Sequence, residues 1–587
     1  MQAEKLKQLL EWGVNNGVKY PEEVEFVNVE GKGFACVAKS DITAAEFIIP
    51  DNLIIKSSLS SRLFGTSLNQ TSWLKVLVAK LKFDKNATTV DDVDLKAKFA
   101  PYIDALPEEI DSPLVWNPSE LDLLGNTNLR SSLRMKLDSI FKEWKSIMGT
   151  LEEHRNQVQA DTIAIEETLE QDENYVYRNL TSKVFQECSE VEWWSFPAFL
   201  WSHLIFLSRA FPEYVINPST DPSNVVLLPI IDLLNHDYRS KVEWNQRDGA
   251  FGVRKLEAVS EGEEILNNYG GKGNEELLSG YGFVLDENIF DTVALKIQLP
   301  SKTVSEITSA TSLFLPTISD YTTSAFELSS NKEIKHKLPK TDSQYDDGIL
   351  YLLSKENNDP LRWLLDLFSY LEKSPEESCS GLRVQLQGLQ NLRNAIEMKL
   401  SSISLASTSD RQAASYDVKE YRAHAARVYK SGQVKTLKHA INELKRTEKE
   451  WTSQHKSDLL TVKRIMRLDP SFMDVELPLL LQTNTGSDVT LESYDALIVL
   501  WLSCKVAFNT CPKEAQWAMD SFKAYSNHCE HTKALSPEGQ QLYRTLFPEG
   551  SAKLSQEQFI NATGFLQHYS YTRLSNDEAI LVRDVNL

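Results

Sequence analysis

The 587 residues contain only 6 cysteines, Cys36, Cys188, Cys379, Cys504, Cys511 and Cys529, and none form a Cys-x-x-Cys pair. Neither a disulfide framework nor a cysteine zinc cage organises such a chain. Long apolar runs are also missing. Those at Val225–Leu234 and Ala496–Ser503 fall well short of the about 20 residues that span a bilayer. The opening Met1–Trp12 is charged where a signal peptide needs an apolar stretch. No membrane association is expected, and the cytoplasm is the expected location, with the nucleus open. Positive charge is in deficit: 62 Lys+Arg against 83 Asp+Glu leave a net charge of −21. That balance argues against direct nucleic-acid binding and favours basic protein partners drawn by long-range attraction.

Several catalytic signatures are absent as well: H-E-x-x-H, G-x-S-x-G and a helix-opening G-x-G-x-x-G. Gly270-Gly-Lys-Gly273 lacks the first glycine of a P-loop, and Gly273 stands where a magnesium-binding Ser or Thr belongs. His528-Cys529-Glu530-His531 matches no common zinc spacing, so no metal is expected.

What is present describes a foldable chain, 42% hydrophobic and 25% charged, long enough for two to four domains at roughly 100 to 200 residues each. Short strand patterns occupy Glu25–Val29, Phe34–Ala38 and Phe47–Ile49. Helical spacing takes over between about Ser57 and Ser223, as in Trp73–Leu81 and Leu133–Trp144. Strand patterns return at Lys241–Trp244, Phe251–Leu256, Glu264–Tyr269 and Thr292–Gln298, and long helical patterns follow at Leu382–Leu405, Tyr416–Glu450 and Ser493–Phe508. The expected architecture is α+β. Residues 1–300 form a domain with a β core and a helical insertion at about 57–223, and residues 301–587 form a separate α-helical domain. No fixed-period repeat appears.

The informative residues are Glu30-Gly31-Lys32-Gly33, Asp232-Leu-Leu-Asn235-His236, Asn268-Tyr269-Gly270 and Ser279-Gly-Tyr281-Gly-Phe283, supported by Phe99–Trp116 and Ser208-Arg209-Ala-Phe211. In this order, and split by a helical insertion, they resemble the SET-domain lysine methyltransferases, specifically the subfamily that includes Rubisco large-subunit methyltransferase. The wording of Ser195–Leu204, Asn235–Lys241 and Tyr269–Phe283 is similar to the fungal branch that modifies ribosomal proteins. The resemblance implies a SET-fold core, an α-helical substrate-binding domain, and an enzyme that methylates lysine in a large-subunit ribosomal protein with S-adenosylmethionine; a monomer is expected. Left open are an elongation factor or a histidine as acceptor, and a SET-fold module that binds ribosomal proteins without catalysis.

The resemblance assigns Glu30, Gly31, Lys32, Gly33, Asn235, His236, Tyr269 and Phe283 to the cofactor. The glycines would let backbone groups approach it, Asn235 and His236 would meet the adenine, and Phe283 would cover it. Ser208, Arg209, Asp232 and Tyr281 fall on the substrate side, and Tyr269 is the expected catalytic residue. The chemistry is coherent. A free lysine with a pKa of about 10.4 is short of neutral amine at pH 7 by roughly 4 to 5 kcal/mol. An aromatic channel disfavours its charge, and Tyr269 would orient amine and methyl. Two departures stand beside the cofactor residues: Asp237 where the subfamily has Ser, and glycine at a serine position within Gly270–Asn274.

Overall fold

The computed structural model describes residues 2–587 except 30–32, 67, 186–190, 248, 322–341, 406–415, 483–493, 529–536, 548–549 and 552. Of the residues singled out above, Glu30, Gly31, Lys32, Cys188, Cys529, Glu530 and His531 lie outside the described residues.

The chain divides into two units. Unit 1 comprises Met1–Val293, Ile318–Pro339 and Ser402–Lys435, and unit 2 comprises Ala294–Thr317, Lys340–Ser401 and Thr436–Leu587. The expected boundary near residue 300 is therefore not a single cut, because the chain returns to unit 1 after residue 401. Buried Ala425, Ala426 and Tyr429 join the same hydrophobic core as Leu77, Phe99 and Trp201, which holds that returning segment in place.

Unit 1 begins with helix α1 (Gln2–Asn15) and the antiparallel hairpin β1 (Val24–Val29) to β2 (Gly33–Ala38), in register from Val24 opposite Ala38 to Val29 opposite Gly33. Strand β3 (Ala45–Pro50) alternates buried and half-buried residues, as a strand with one face on the core must. The helical insertion follows. Helix α2 (Gln70–Phe83) is buried almost all round, from Trp73 to Phe83. Helix α3 (Asn128–Met148) starts at Thr127, whose side chain accepts the Arg130 N–H, and buries Leu129, Leu133, Leu137, Ile140, Phe141 and Trp144 along one face. Helix α4 (Phe196–Arg209) is capped by Ser195, carries Pro197 in its first turn and buries Phe199, Leu200, Trp201 and Leu204.

The β texture resumes with the short pair β4 (Ala210–Pro212) and β5 (Val225–Leu227). The hairpin β6 (Val242–Arg247) to β7 (Ala250–Lys255) then pairs with β3 in the order β3-β7-β6. Glu264–Tyr269 does not form a strand of its own. It makes single bridges, Glu264 to Val37 and Asn267 to His236, so each partner fixes one point of it.

Strand β8 (Thr292–Ile297), most of which belongs to unit 2, pairs with β9 (Ile349–Ser354). The long helices α5 (Leu382–Leu405) and α6 (Glu420–Gln454) each extend across the unit boundary along the chain. A small sheet of β10 (Leu459–Leu460), β11 (Ser570–Arg573) and β12 (Glu578–Val582), in the order β10-β12-β11, packs with α7 (Tyr494–Phe508), α8 (Gln516–His528) and α9 (Gln556–Tyr569). Trp501, Phe559, Phe565 and Leu581 are at the centre of that core. Lys505 is buried there between Asp469, at 2.5 Å, and Glu476. Among the described residues no helix is long and apolar enough to cross a membrane, and no cluster of His, Cys, Asp or Glu suits a metal ion.

Candidate active site

Helix α4 carries Ser208 and Arg209 in its last turn, so the buried body of the helix sets where they stand. Asp232 sits in the tight turn Ile231–Leu233, entered through Ile230 at φ +71°. A β-branched residue in that region is strained by about 1 to 3 kcal/mol, and the strain persists only where the surroundings enforce it. Here they do. The Asp232 N–H donates to Leu228, Tyr102 donates to Asp232 Oδ2 at 2.9 Å, and Arg209 Nη1 donates to the Asp232 carbonyl at 3.0 Å and to Oδ2 at 3.3 Å. Burial alone would weaken the Arg209 cation, but Asp232 and Tyr102 more than offset it, and its pKa lies above the usual value. Burial pushes the Tyr102 hydroxyl well up and raises the Asp232 carboxyl, the latter opposed by Arg209.

Tyr269 stands at the end of the single-bridge segment. Its hydroxyl donates to the Leu234 carbonyl at 2.8 Å, and its backbone N–H donates to His236 Nδ1 at 3.0 Å. Burial pushes the Tyr269 phenol far above its ordinary range despite Arg209, so it remains a neutral hydroxyl whose oxygen still has acceptor capacity. His236 is pushed down to about 4, chiefly by burial, with the Lys272 charge acting in the same direction and Asp237 against it. It is a neutral imidazole at pH 7. Because Nδ1 accepts, Nε2 carries the hydrogen, and Nε2 is buried without a partner.

These rings form a run. His236 stacks on Tyr269 with centroids 4.9 Å apart, Tyr269 stacks on Tyr281 at 5.2 Å, and Phe283 meets Tyr281 edge-on at 6.1 Å and His236 at 6.5 Å. Tyr281 ends a wide π turn, Leu277–Tyr281, that Gly282 terminates in the left-handed region. A cavity of about 510 Å3 opens beside Tyr269 and Tyr281. Its wall includes Ser208, Arg209, Phe211, Asp232, Trp244 and Lys272. The Ser208 hydroxyl donates back into its own helix, to the Leu204 and Ile205 carbonyls. A second cavity, of about 390 Å3, is lined by Gly33, Phe34 and again Arg209, so Arg209 borders both.

The described cofactor candidates converge on this region. Asn235 donates both amide hydrogens within the protein, to the Phe34 carbonyl at 3.1 Å and to Glu264 Oε1 at 2.7 Å. It therefore ties strand β2 to the site and keeps Oδ1 as its remaining group. The bridge to Asn267 uses the Asn235 carbonyl and the Asp237 N–H, which turns the N–H and C=O of His236 to the opposite side. Gly33 has φ +80° with open space where a side chain would project. An outward backbone edge, a buried donor without a partner and an open glycine fit a bound ligand with a planar, acceptor-rich end and a small polar end. Of the departures, Asp237 turns its carboxylate onto Arg239 at 2.8 and 3.1 Å rather than into the cavity.

Sequence reading missed Trp244, Lys272 and Glu264 as parts of the site. Trp244 reads as any strand aromatic, yet it packs on Phe211 at 5.2 Å and lines the cavity. Phe99–Trp116 supplies supports: Tyr102 to Asp232, the Pro107 carbonyl to Trp201 Nε1 at 3.1 Å, and Ser112 to the Ser279 carbonyl at 2.6 Å.

Residues 33–270 match the SET domain family, and residues 293–455 match the EFM1 middle domain. Over 99% of its length the chain is 42% identical to Ribosomal lysine N-methyltransferase 1 of Saccharomyces cerevisiae, covering 100% of that protein. The chain belongs to the SET-domain protein-lysine N-methyltransferases. A further relative of this methyltransferase is Protein-lysine N-methyltransferase EFM1 of the same yeast, 26% identical over 98% of this chain and 97% of that one. The solved SET domain of LSMT bound to MeLysine and AdoHcy shares its fold, with a TM-score of 0.50 and 16% identity over 76% of this chain and 93% of that one.

Proposed function

We propose that this methyltransferase modifies a lysine of a large-subunit ribosomal protein at the Tyr269 cavity. The observation that carries the reading is the cavity itself. It is lined by the aromatic rings of Phe211, Trp244, Tyr269 and Tyr281, and it places a neutral Tyr269 oxygen beside the Arg209–Asp232 pair. The ribosomal acceptor is supported by the whole-length likeness to a ribosomal lysine methyltransferase.

The donor is S-adenosylmethionine, which when bound supplies an electrophilic methyl group on a positively charged sulfur. His236 would hold its flat end through the outward backbone edge and the Nε2 hydrogen, with Phe283 against the ring. Gly33 would leave room at the polar end; Glu30, Gly31 and Lys32 are assigned to the cofactor by the sequence alone. Asn235 acts largely by fixing the Phe34 carbonyl, and so the position of β2.

Tyr269, Tyr281, Phe211 and Trp244 wall the acceptor side and withhold water from the amine, which disfavours the ammonium and favours the nucleophile. The Tyr269 oxygen and the Leu234 carbonyl to which it is bound offer acceptors beside the reacting groups and orient them. Asp232 and Arg209 neutralise each other, so the wall does not trap the acceptor as a cation. Ser208, with its hydrogen committed to α4, offers only its oxygen. The protein would act in the cytoplasm, where its substrate is made.

Isotopically labelled S-adenosylmethionine and separated large-subunit ribosomal proteins test the reading, with Asn235→Ala as control and the label located by mass spectrometry. Label on a lysine of one basic protein, lost in the control, is expected. Equal labelling by Asn235→Ala would remove this site from the reaction.

A further inference from the structure

Lys272 has no part in the reading above, yet it lines the same cavity as Tyr269. Its ammonium is hydrogen-bonded to Glu276 one turn on and lies 5.8 Å from the Tyr281 ring centroid. The backbone that carries it has little freedom. The Lys272 carbonyl accepts from Asn288 Nδ2 at 2.8 Å, and the neighbouring Gly271 and Gly273 pack so closely on Phe290 that neither has room for a Cβ.

The Lys272–Glu276 pair is lopsided. The lysine side chain is 21% exposed and the glutamate 58% exposed. Glu276 also lines the cavity, but its carboxylate is the more exposed and the more strongly screened of the two, so it offsets the positive field of the ammonium only in part. The other groups facing Lys272 do not cancel the remainder. Tyr281 and Tyr269 are neutral phenols, and His236, from the neighbouring segment, is a neutral imidazole. Arg209 is closed on the buried Asp232. The Asp237 carboxylate, beside His236, is engaged by Arg239.

We propose that Lys272 is a positioning residue for the transfer: its fixed ammonium in the cavity wall opposes a second cation there and so favours the neutral, nucleophilic form of the acceptor amine. The inference rests on methyl transfer at the Tyr269 cavity. It also explains why a lysine stands where it would otherwise repel a lysine substrate: repulsion of the charged form weakens initial docking and promotes the reactive form, because only the ammonium is opposed.

The test is the pH dependence of single-turnover methyl transfer, at saturating cofactor and acceptor, for wild type, Lys272→Met, Lys272→Arg and Glu276→Gln. Cofactor affinity and thermal midpoint are measured alongside. Losing the positive charge raises the pH at which the acceptor becomes neutral. Lys272→Met is therefore expected to move the acid limb of the profile up by about half a unit to one unit, with up to about a tenfold loss of rate below the limb. Lys272→Arg keeps the limb in place, and Glu276→Gln moves it down. A Lys272→Met profile lowered equally at all pH values, with its limb unmoved, overturns the inference and leaves a structural role. Wild-type turnover with no shift in any variant likewise sinks only the inference. No wild-type transfer to any large-subunit protein at any pH overturns the proposed function itself.

Discussion

At Gly273 a Cβ would come 2.8 Å from the Phe290 carbonyl oxygen, a backbone atom that cannot swing away. A glycine at position 273 is thus a packing requirement of this chain, set by Phe290, and does not by itself widen the cavity. Gly273→Ser is expected to destabilise the protein by about 1 to 3 kcal/mol through overpacking, read as a lowered denaturant midpoint at unchanged slope. An unchanged midpoint would show that the Phe290 backbone yields. Tyr269, Tyr281, Arg209 and Asp232 were legible in the sequence because a recognisable arrangement surrounds each of them. Trp244 and Lys272 were not, because nothing local distinguishes a cavity-lining tryptophan or lysine from one on an ordinary surface. The Asn235 amide illustrates a further limit: the sequence marks the residue, but only the structure shows both its hydrogens spent on Phe34 and Glu264.

Among the elements, the N-terminal part of α6 is the least expected support of the site's domain. Arg422 donates to Glu120 Oε2 at 2.7 Å and to Asp111 Oδ1 at 2.9 Å, and the Glu120 side chain is fully buried. Asp111 adjoins Ser112, which holds the Ser279 carbonyl next to the Tyr281 turn. Tyr429, farther along α6, donates to Glu275 at 2.8 Å in the same loop region. Arg422→Met leaves the Glu120 carboxylate buried without its cation. A loss of about 3 to 5 kcal/mol is expected, measurable by chemical denaturation. A loss below about 1 kcal/mol would show that Glu120 finds another partner. The leucine spacing of α6 announces a helix but not which neighbours it packs against, so the membership of its first part, through Lys435, in unit 1 was invisible beforehand. Strands β1, β2, β6 and β7 were legible because each pairs along its length. Glu264–Tyr269 reads as a strand but has no ladder, since separate partners fix Glu264 and Asn267.

Across the whole molecule, each unit encloses a lysine–carboxylate cluster that ties stability to pH. In unit 1, Lys75 meets Glu143 at 2.7 Å beside His203 and Ser72, and in unit 2 Lys505 meets Asp469 at 2.5 Å. Burial alone would raise both carboxyls. Hydrogen bonds and charge from His203, Lys75 and Ser72 instead hold Glu143 at about 2, and Lys505, Ser471 and Trp501 hold Asp469 below its usual value. A carboxyl depressed in the folded state contributes fully above its unfolded pKa, near 4.5 for Glu143, and that contribution disappears as the pH falls through about 2. The thermal midpoint is therefore expected to drop between about pH 4.5 and 2, with about 3 kcal/mol as the ceiling for Glu143. In Glu143→Gln the protein is less stable at neutral pH and the acid decline is shallower. An equal decline in the variant would place the sensitivity elsewhere. The net charge of −21 adds a general attraction for basic proteins, while the proposed chemistry is confined to one cavity.

The most direct test of that localisation is single-turnover methyl transfer by Tyr269→Phe to the ribosomal acceptor, with cofactor affinity measured on the same preparation. Removing one hydroxyl that binds the Leu234 carbonyl leaves the ring stack in place. Cofactor affinity is predicted to stay within about threefold while the transfer rate falls by about tenfold or more. A rate equal to wild type, with cofactor bound normally, would contradict the placement of the reaction at Tyr269.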